Sequence, residues 1–562
     1  MTDKQKFGAD IIVDSLNNHD VDFVLGVPGA KIDRLFDKLE NPEPGVKVPK
    51  MIITRHEQNA AFIAQGMARI TGKPGVVIAT SGPGVGNLAT GLMTATAEGD
   101  PVIAFGGQVP RKDLYRLTHQ STKSVPLFEP LTKYSVEVQD ENNLSEIISN
   151  AFVAAQDGKQ GASFISIPQD VDDAPMADDA HALPATAAPR MGSAASEDVT
   201  WLAAQIKQAK LPVILVGQRG SDAATVHALQ TLLHQTMLPV VETFQGAGVI
   251  SRELEMDTFF GRIGLFRNQV GDRLLKQSDL VITLGYDAIE YEPRNWNAEN
   301  ELRIIAIDTA AAQIDNNFAP ERQLIGNLAE TLRNLQAAVA GYALSMDTIK
   351  ILTKFKKELN QSDEPDFEAA PGLNHPLNII KALQAHVTDD MTVANDIGSH
   401  YIWMARHFRS YKPRHFLLSN GMQTLGVGLP WAMAAALVRP ESKAVAVAGD
   451  GGFFFSGVEL ATAVELKLNV VTLVWNDSAY YDMVKFQEEK KYGRHAGVKI
   501  SDIDIVKFAE SMGAKGLRVE SADQLNAVLD EAFATDGPVV VDIPVDYSHN
   551  IDLASQLVES EG

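Results

Sequence analysis

Short apolar runs rich in β-branched residues alternate along this chain with longer stretches whose apolar positions recur at helical spacing. Runs of the first kind, bounded by Gly or Pro and separated by helix-length segments, predict parallel sheets with crossover helices. VDFVLG, MIIT, GVVIAT, PVIAFGG and SFISIP stand in the first third. PVILVG, PVVETF, LVITLG and RIIAID stand in the middle. TVANDIG, HFLLSN, AVAVAGD, VVTLVWND and VVVDIPVD stand in the last. Two stretches break the rhythm and predict connectors: 176–197 is rich in Ala, Pro, Asp and Ser, and 355–374 is polar and interrupted by Pro. The expected fold class is therefore α/β, with three open parallel-sheet domains over residues 1–180, 190–345 and 370–550.

In open parallel sheets ligands bind beyond the carboxyl ends of the strands, so chemistry is sought there. The most informative segment is AVAVAGDGGFFFSGVELATAVELKLNVVTLVWNDS. It predicts a buried strand over 444–448, a tight turn Gly449-Asp450-Gly451-Gly452 and a helix over 457–468 with Val458, Ala461, Val464 and Leu468 on its apolar face. A second strand over 470–475 ends in Asn476-Asp477. A right-handed crossover makes the two strands parallel, so Asp450 and Asp477 emerge at one sheet edge. Two carboxylates there suit Mg²⁺, which takes oxygen ligands and completes its shell with water and phosphate. The glycines let backbone N–H groups approach an anion at a helix N-terminus. An isolated Gly-Asp-Gly is usually no more than a turn. With an acid after each of two connected strands, the segment reads as a site for a metal-bound diphosphate. No GxxxxGK[ST] occurs, and GPGVG at 82–86 lacks the spacing of a dinucleotide fingerprint.

Local sequence leaves other residues open. Glu57 follows MIITRH and opens an Ala-rich helix, where an acid favours the helix dipole whether or not it has a chemical task. Lys31 follows Val27-Pro28-Gly29-Ala30 at a predicted helix start. A cation is disfavoured there, so it is either a tolerated solvated lysine or a partner for a carboxylate ligand. Gln120 reads locally as a surface amide, His119 as structural, and Leu425 equally well as a core residue or a ligand-facing one.

Composition narrows the classes. The 562 residues carry 49 Lys and Arg against 72 Asp and Glu, a formal net charge of −23. So acidic a chain does not grip nucleic-acid backbones or anionic membranes, and a small acidic substrate must be met by local positive charge. There is no cysteine, which excludes disulfides, thiolate catalysis and Cys-ligated metal. The N-terminus MTDKQKFGAD has no apolar signal region, and no apolar stretch is long enough to span a bilayer, so the expected location is cytoplasmic.

The GDG turn followed at a distance by Asn-Asp resembles the signature of thiamine-diphosphate enzymes, and RHEQNAAF resembles their segment that carries a cofactor-activating glutamate. GVPGAKID, TSGPGVGNL, EGDPVIAFGGQV, HQSTKSVPLF, IPQDVDDAP, GLFRNQVGDRLL, YEPRNWN, SNGMQTLGVGLPWA, FQEEKKYGR and IPVDYSHN extend the likeness across nearly the whole chain. Together they are similar to the catabolic, flavin-independent acetolactate synthases.

That resemblance implies a pyrimidine-binding, a central and a diphosphate-binding domain. It gives the activating role to Glu57 and makes Asp450, Asp477 and the Ala479 carbonyl the Mg²⁺ ligands. Val27, Pro28, Gly29, Gly398, Ser399, His400, Gln423, Gly449, Gly451, Gly452, Tyr480 and Met483 join the cofactor site, with Leu425 as the wedge that bends the cofactor. NDSAYYDMV is one residue longer than the family pattern, which leaves open whether Tyr480 or Tyr481 faces the site. Lys31, Gln120, Val484 and Gln487 fall on the substrate side. Gln487 stands where biosynthetic relatives have a Trp that favours 2-oxobutyrate, which implies pyruvate as both donor and acceptor.

The implied reaction decarboxylates one pyruvate and transfers its two-carbon unit to a second, giving 2-acetolactate and CO₂. The alternatives on the same scaffold are a 2-oxoacid decarboxylase and a pyruvate oxidase; outside catalysis, the alternative is a regulatory protein that keeps the fold. Since the family draws Glu57 and Asp450 from different subunits, a homodimer is the minimum and a homotetramer the expected assembly. FAD is not expected: LGYDAIEYEP places Tyr286, Asp287 and Ala288 where flavin-binding relatives carry a run ending in Arg.

Overall fold

The computed structural model describes residues 5–177, 179–186, 190–266, 268–477 and 481–550. Each third of the chain builds one six-stranded sheet whose strands all pair in parallel. The first has β1 (Phe23–Val27), β2 (Lys50–Ile53), β3 (Gly75–Ala79), β4 (Val102–Gln108), β5 (Tyr134–Glu137) and β6 (Ala162–Pro168), in the order β2-β1-β3-β4-β6-β5. The second has β7 (Pro212–Val216), β8 (Val240–Thr243), β9 (Phe259–Ile263), β10 (Leu280–Leu284), β11 (Ile304–Asp308) and β12 (Arg322–Ile325), in the order β12-β11-β10-β7-β8-β9. The third has β13 (Thr392–Asn395), β14 (Phe416–Leu417), β15 (Ala444–Gly449), β16 (Val470–Asn476), β17 (Lys515–Arg518) and β18 (Val539–Pro544), in the order β14-β13-β15-β16-β18-β17. The first and third sheets thus share one topology. The second has the strand order of dinucleotide-binding folds.

The interior strands are apolar throughout because helices cover both faces of a parallel sheet, and every residue of β4, β6, β7 and β10 is buried. The four strands that the apolar pattern does not show, β5, β9, β12 and β17, are each the outermost member of a sheet. There a strand needs less apolar surface. β5 is half-buried along its length, and β17 (KGLR) is exposed at both ends. β9 (FFGRI) is buried, but Arg262 interrupts its run; the guanidinium pairs with buried Glu242 of β8 at 2.9 Å and donates to the Phe408 carbonyl at 2.5 Å.

Two local expectations change. The stretch 355–374 begins inside a helix, Met346–Ser362, whose Phe355 and Leu359 are buried in the core of the second sheet. The helix expected over 457–468 is instead a 3₁₀ turn Gly457–Glu459 followed by a short helix Leu460–Glu465, and a separate helical turn, Asp450–Phe453, precedes it. Its buried residues are Leu460, Thr462 and Ala463, whereas Val458 is exposed. Of the four positions expected on its apolar face, Leu468 is buried, Ala461 and Val464 are half-buried and Val458 is exposed.

The chain forms two compact units. One holds the first sheet together with segments 433–439 and 458–466; the other holds the second and third sheets. Among the described residues no helix is long and apolar enough to cross a membrane.

Candidate active site

At the carboxyl edge of the third sheet, β15 and β16 run side by side with Gly449 opposite Trp475. Asp450 and Asp477 therefore leave adjacent parallel strands on the same side. Asp450 is buried and heads the short Asp450–Phe453 turn. Neighbouring groups lie directly against its glycines. A Cβ at Gly449 would stand 3.3 Å from the His400 Nδ1, one at Gly451 2.5 Å from the Tyr481 ring, and one at Gly452 3.0 Å from Asp396 Oδ1. Tyr481, not resolved from Tyr480 by sequence, thus packs on the Gly449–Gly452 turn. Ala479 and Tyr480 lie outside the described residues.

Sequence reasoning missed Asp396, which ends β13 one residue beyond its last paired position. Its carboxylate is fully buried and accepts N–H bonds from Ile397 (2.7 Å), Gly426 (2.9 Å) and Gly428 (3.0 Å). Burial pushes its pKa up to about 6, against those three bonds. It ties the 396–398 turn to the segment that carries Gln423 and Leu425. Gln423 has φ +49° and Gly426 φ +90°, left-handed geometry that sets the direction of the intervening Leu425, a half-buried neighbour of the third-sheet core. The rule that ligands gather beyond strand ends pointed to this acid.

Gly398 has φ +157°, and His400 follows on the helix Ser399–His407. The imidazole is buried, and burial lowers its pKa to about 3, so it is neutral at ordinary pH. Its Nε2 lies 3.0 Å from the Asp396 carbonyl and therefore carries the proton. The Ser399 hydroxyl donates to Asp482 at 2.9 Å, so its side chain braces the helix Asp482–Tyr492.

In the other unit, Glu57 is the first residue of the helix Glu57–Thr71 and is buried. The Asn87 amide donates to its Oε2 at 2.9 Å. A Cβ at Gly84 would stand 3.1 Å from Oε1, so a larger residue there would crowd the carboxylate. Asn87 was another omission, although it ends the TSGPGVGN segment.

Three features test whether a metal-bound diphosphate and a pyrimidine ring fit these residues. The Tyr547 hydroxyl is buried, and burial, with Asp477, Asp482 and Asp450 adding to it, pushes its pKa far up against a backbone bond from His400, which sets a polar group beside the acids. The Thr80 hydroxyl, at the end of β3 beside Gly29, is buried without a partner. Among the described residues no group of three or more His, Cys, Asp or Glu could hold a metal by itself. The residues fit the cofactor.

Comparison with known proteins agrees. Residues 6–127 match the profile of "Thiamine pyrophosphate enzyme, N-terminal TPP binding domain", 199–335 the "central domain" and 396–543 the "C-terminal TPP binding domain". "Acetolactate synthase" of Bacillus subtilis (strain 168) is 50% identical over 99% of this chain and 96% of its own length. "Acetolactate synthase, catabolic" of Raoultella terrigena is 43% identical over 98% and 97%. The chain belongs to the acetolactate synthase family of thiamine pyrophosphate enzymes.

Within that family frame the remaining residues fall as follows. Val27 ends β1, and Pro28 and Gly29 follow it; a Cβ at Gly29 would stand 2.4 Å from Thr80 Cβ, so the turn can close only with Gly. Lys31 lies two residues before the helix Asp33–Glu40 rather than inside its first turn, and its ammonium donates to Gln169 Oε1 at 3.2 Å. Gln120 has φ +61° and packs on Gly82, with Ser81 Oγ 3.4 Å from its Oε1. Such strain in a non-Gly residue concentrates at functional sites. On the helix Asp482–Tyr492, Met483 is half-buried while Val484 and Gln487, three residues apart on one face, are exposed.

The second sheet of this acetolactate synthase relative has the strand order of dinucleotide-binding folds, and its carboxyl edge is crowded by the chain itself. Arg219 spans from β7 to Asp308 at the end of β11 (2.7 Å) and to Asp287 after β10 (2.8 Å). Glu290 accepts from the backbone N–H of Gln218 (3.0 Å) and Asp287 (3.0 Å) and from the Thr243 hydroxyl (2.5 Å). A Cβ at Gly217 would meet Tyr286 Cα at 2.6 Å and Glu290 Oε1 at 2.7 Å.

Proposed function

We propose that this protein joins two pyruvates, with loss of CO₂, into 2-acetolactate, using thiamine diphosphate held by Mg²⁺. The observation that carries the proposal is the 50% identity to an acetolactate synthase over 99% of the chain. Buried Glu57 and the Asp450–Asp477 edge supply the chemistry within that likeness.

Asp450, Asp477 and the Ala479 carbonyl would hold the metal and through it the diphosphate, and Leu425 would wedge the rings. When bound, the cofactor supplies an acidic carbon that adds to the pyruvate carbonyl and a ring that takes up the electrons released with CO₂. Glu57 would hold and release the proton at the pyrimidine ring nitrogen, with its carboxylate kept in place by Asn87. Lys31 would offer its ammonium to a pyruvate carboxylate, which the net charge of −23 otherwise repels. Gln120 would orient the carbonyl, and the Val484–Gln487 face would admit a second ketoacid while limiting water. Loss of that exclusion would divert the bound two-carbon unit to protonation and acetaldehyde.

A homodimer is the minimum and a homotetramer the expected cytoplasmic assembly, as the family likeness implies. The crowded edge of the second sheet supports a flavin-free enzyme. Pure protein with pyruvate, thiamine diphosphate and Mg²⁺ should yield acetolactate and CO₂. Acetaldehyde would make it a decarboxylase, acetyl phosphate with peroxide a yellow oxidase, and no CO₂ release a binding protein.

A further inference from the structure

The helix that presents Glu57 begins with backbone N–H groups that have no partner within the helix. His56, its N-cap, covers one: the imidazole Nδ1 accepts from Gln58 N at 3.1 Å. The groups just ahead of Glu57 are taken by a residue from far along the chain. Glu459 Oε1 accepts from Arg55 N (2.9 Å), His56 N (3.0 Å) and Asn59 Nδ2 (3.2 Å). Its Oε2 accepts from Thr462 Oγ1 at 2.8 Å. Every one of these partners donates, so the geometry calls for a carboxylate. The side chain is fully buried, and burial raises its pKa against the four donors. Segment 458–466 is part of the compact unit that contains the first sheet, so this is a contact inside one folded body.

A buried acid costs stability unless its bonds are complete, and a plain helix cap needs no acid of this reach. Glu459 fixes the two residues before Glu57 and the residue two after it. Asn87 fixes the far end of the Glu57 side chain. The base and the tip of the Glu57 carboxylate are therefore held separately.

We propose that Glu459 is a positioning residue for Glu57: by clamping Arg55, His56 and Asn59 it sets the aim of the Glu57 carboxylate at the pyrimidine ring nitrogen. The proposal rests on the reading of Glu57 as the cofactor-activating group. Glu459 also follows the Gly449–Gly452 turn within the same connection between β15 and β16, so the segment that leaves the diphosphate turn ends as the clamp on a Glu57 helix.

Glu459→Gln keeps the shape but turns an amide donor toward backbone donors. In the apoprotein, amide hydrogen exchange across residues 55–60 should rise roughly tenfold while the far end of the helix, around Ile70, stays unchanged. In the holoenzyme, exchange of the cofactor's C2 proton and kcat should fall together by roughly 10- to 100-fold, with the pyruvate KM and cofactor Kd within about threefold. Unchanged exchange at 55–60, or an unchanged C2 rate at saturating cofactor, overturns the proposal. If Glu459→Gln does not fold, Thr462→Val decides, since it removes one donor and should slow C2 exchange by roughly three- to tenfold; no slowing overturns the proposal. Glu57→Gln separates the two claims. If it retains full C2 exchange, the role given to Glu57 fails. If it is inactive while Glu459→Gln is normal, only the positioning role fails.

Discussion

The second and third sheets present the same kind of edge and use it in opposite ways. In both, strands end in Gly and acidic residues, where a parallel sheet collects ligands. In the second sheet the acids are consumed internally: Asp308 and Asp287 hold Arg219, and Glu290 holds the N–H groups of the β7 and β10 turns. In the third, Gly449, Gly451 and Gly452 bring the Asp450 turn against His400, Tyr481 and Asp396, and among the described residues no arginine spans the ends of β15 and β16 as Arg219 does at the second edge. The second sheet has the strand order of nucleotide-binding folds, yet the proposed site lies at the edge of the third. Strand order places an edge, and the side chains decide whether it is a site or a seal.

The comparison breaks most sharply at the acids themselves. Asp450→Ala at the third edge and Glu57→Gln in the other unit should each lower acetolactate formation by roughly 10³-fold, the scale of losing a metal anchor or a proton-transfer group. The melting temperature of the apoprotein should stay within a few degrees, because neither change opens a core. Arg219→Met is the matched change at the second edge. It strands Asp308 and Asp287 and should cost about 3 kcal/mol of stability, read from the urea midpoint, with turnover per folded molecule within about twofold. A folded but inactive Arg219→Met would place the second edge in the active site and end the contrast.

A smaller change sharpens the third edge alone. Asp396→Asn keeps the shape but replaces an acceptor that serves three N–H groups. The loop carrying Gln423 and Leu425 should loosen, raising the cofactor Kd by roughly 10- to 100-fold, measured by fluorescence titration. An unchanged Kd would mean that the Leu425 segment holds its place without Asp396.

How much of this the chain declares in advance follows the same physics. Interior strands such as β4 and β16 are legible because burial on both faces demands unbroken apolar runs. The outermost strands β5, β9, β12 and β17 escape notice because one side lacks a neighbour or, in β9, because Arg262 is neutralised by Glu242 only once the sheet forms. Asp450 and Asp477 are legible because one local crossover relates them. Asn87, Tyr547 and Glu459 depend on contacts between segments far apart in sequence, where local pattern carries no signal, and Asp396 is marked only by its place just past a strand end. The Glu459 bond to Arg55 joins positions 404 residues apart.

The weakest effect concerns pH, and it tests whether Glu290 is a seal rather than a ligand group. Burial is the main cause that raises its pKa from 4.5 to about 7; Asp287 adds to this, while the Thr243 hydroxyl bond, Arg219 and the Asp287 N–H oppose it. The folded chain therefore binds this proton more tightly than the unfolded chain does. The stabilisation is complete below about pH 4.5 and is lost as pH rises through about 7. Between pH 5 and pH 8, β7, β8 and β10 should lose on the order of 1–2 kcal/mol of protection in local amide exchange, since each tenfold gain in proton affinity on folding is worth ~1.4 kcal/mol and relaxation offsets part of it. Glu290→Gln should flatten that slope. Asp396, raised to about 6, gives a slope of the same sign centred lower and confined to peptides of the third sheet, so the two acids can be told apart by location. A slope in β7 and β10 that survives Glu290→Gln would show that the proton belongs to another group, and that the second edge is sealed by Arg219 and its two acids alone.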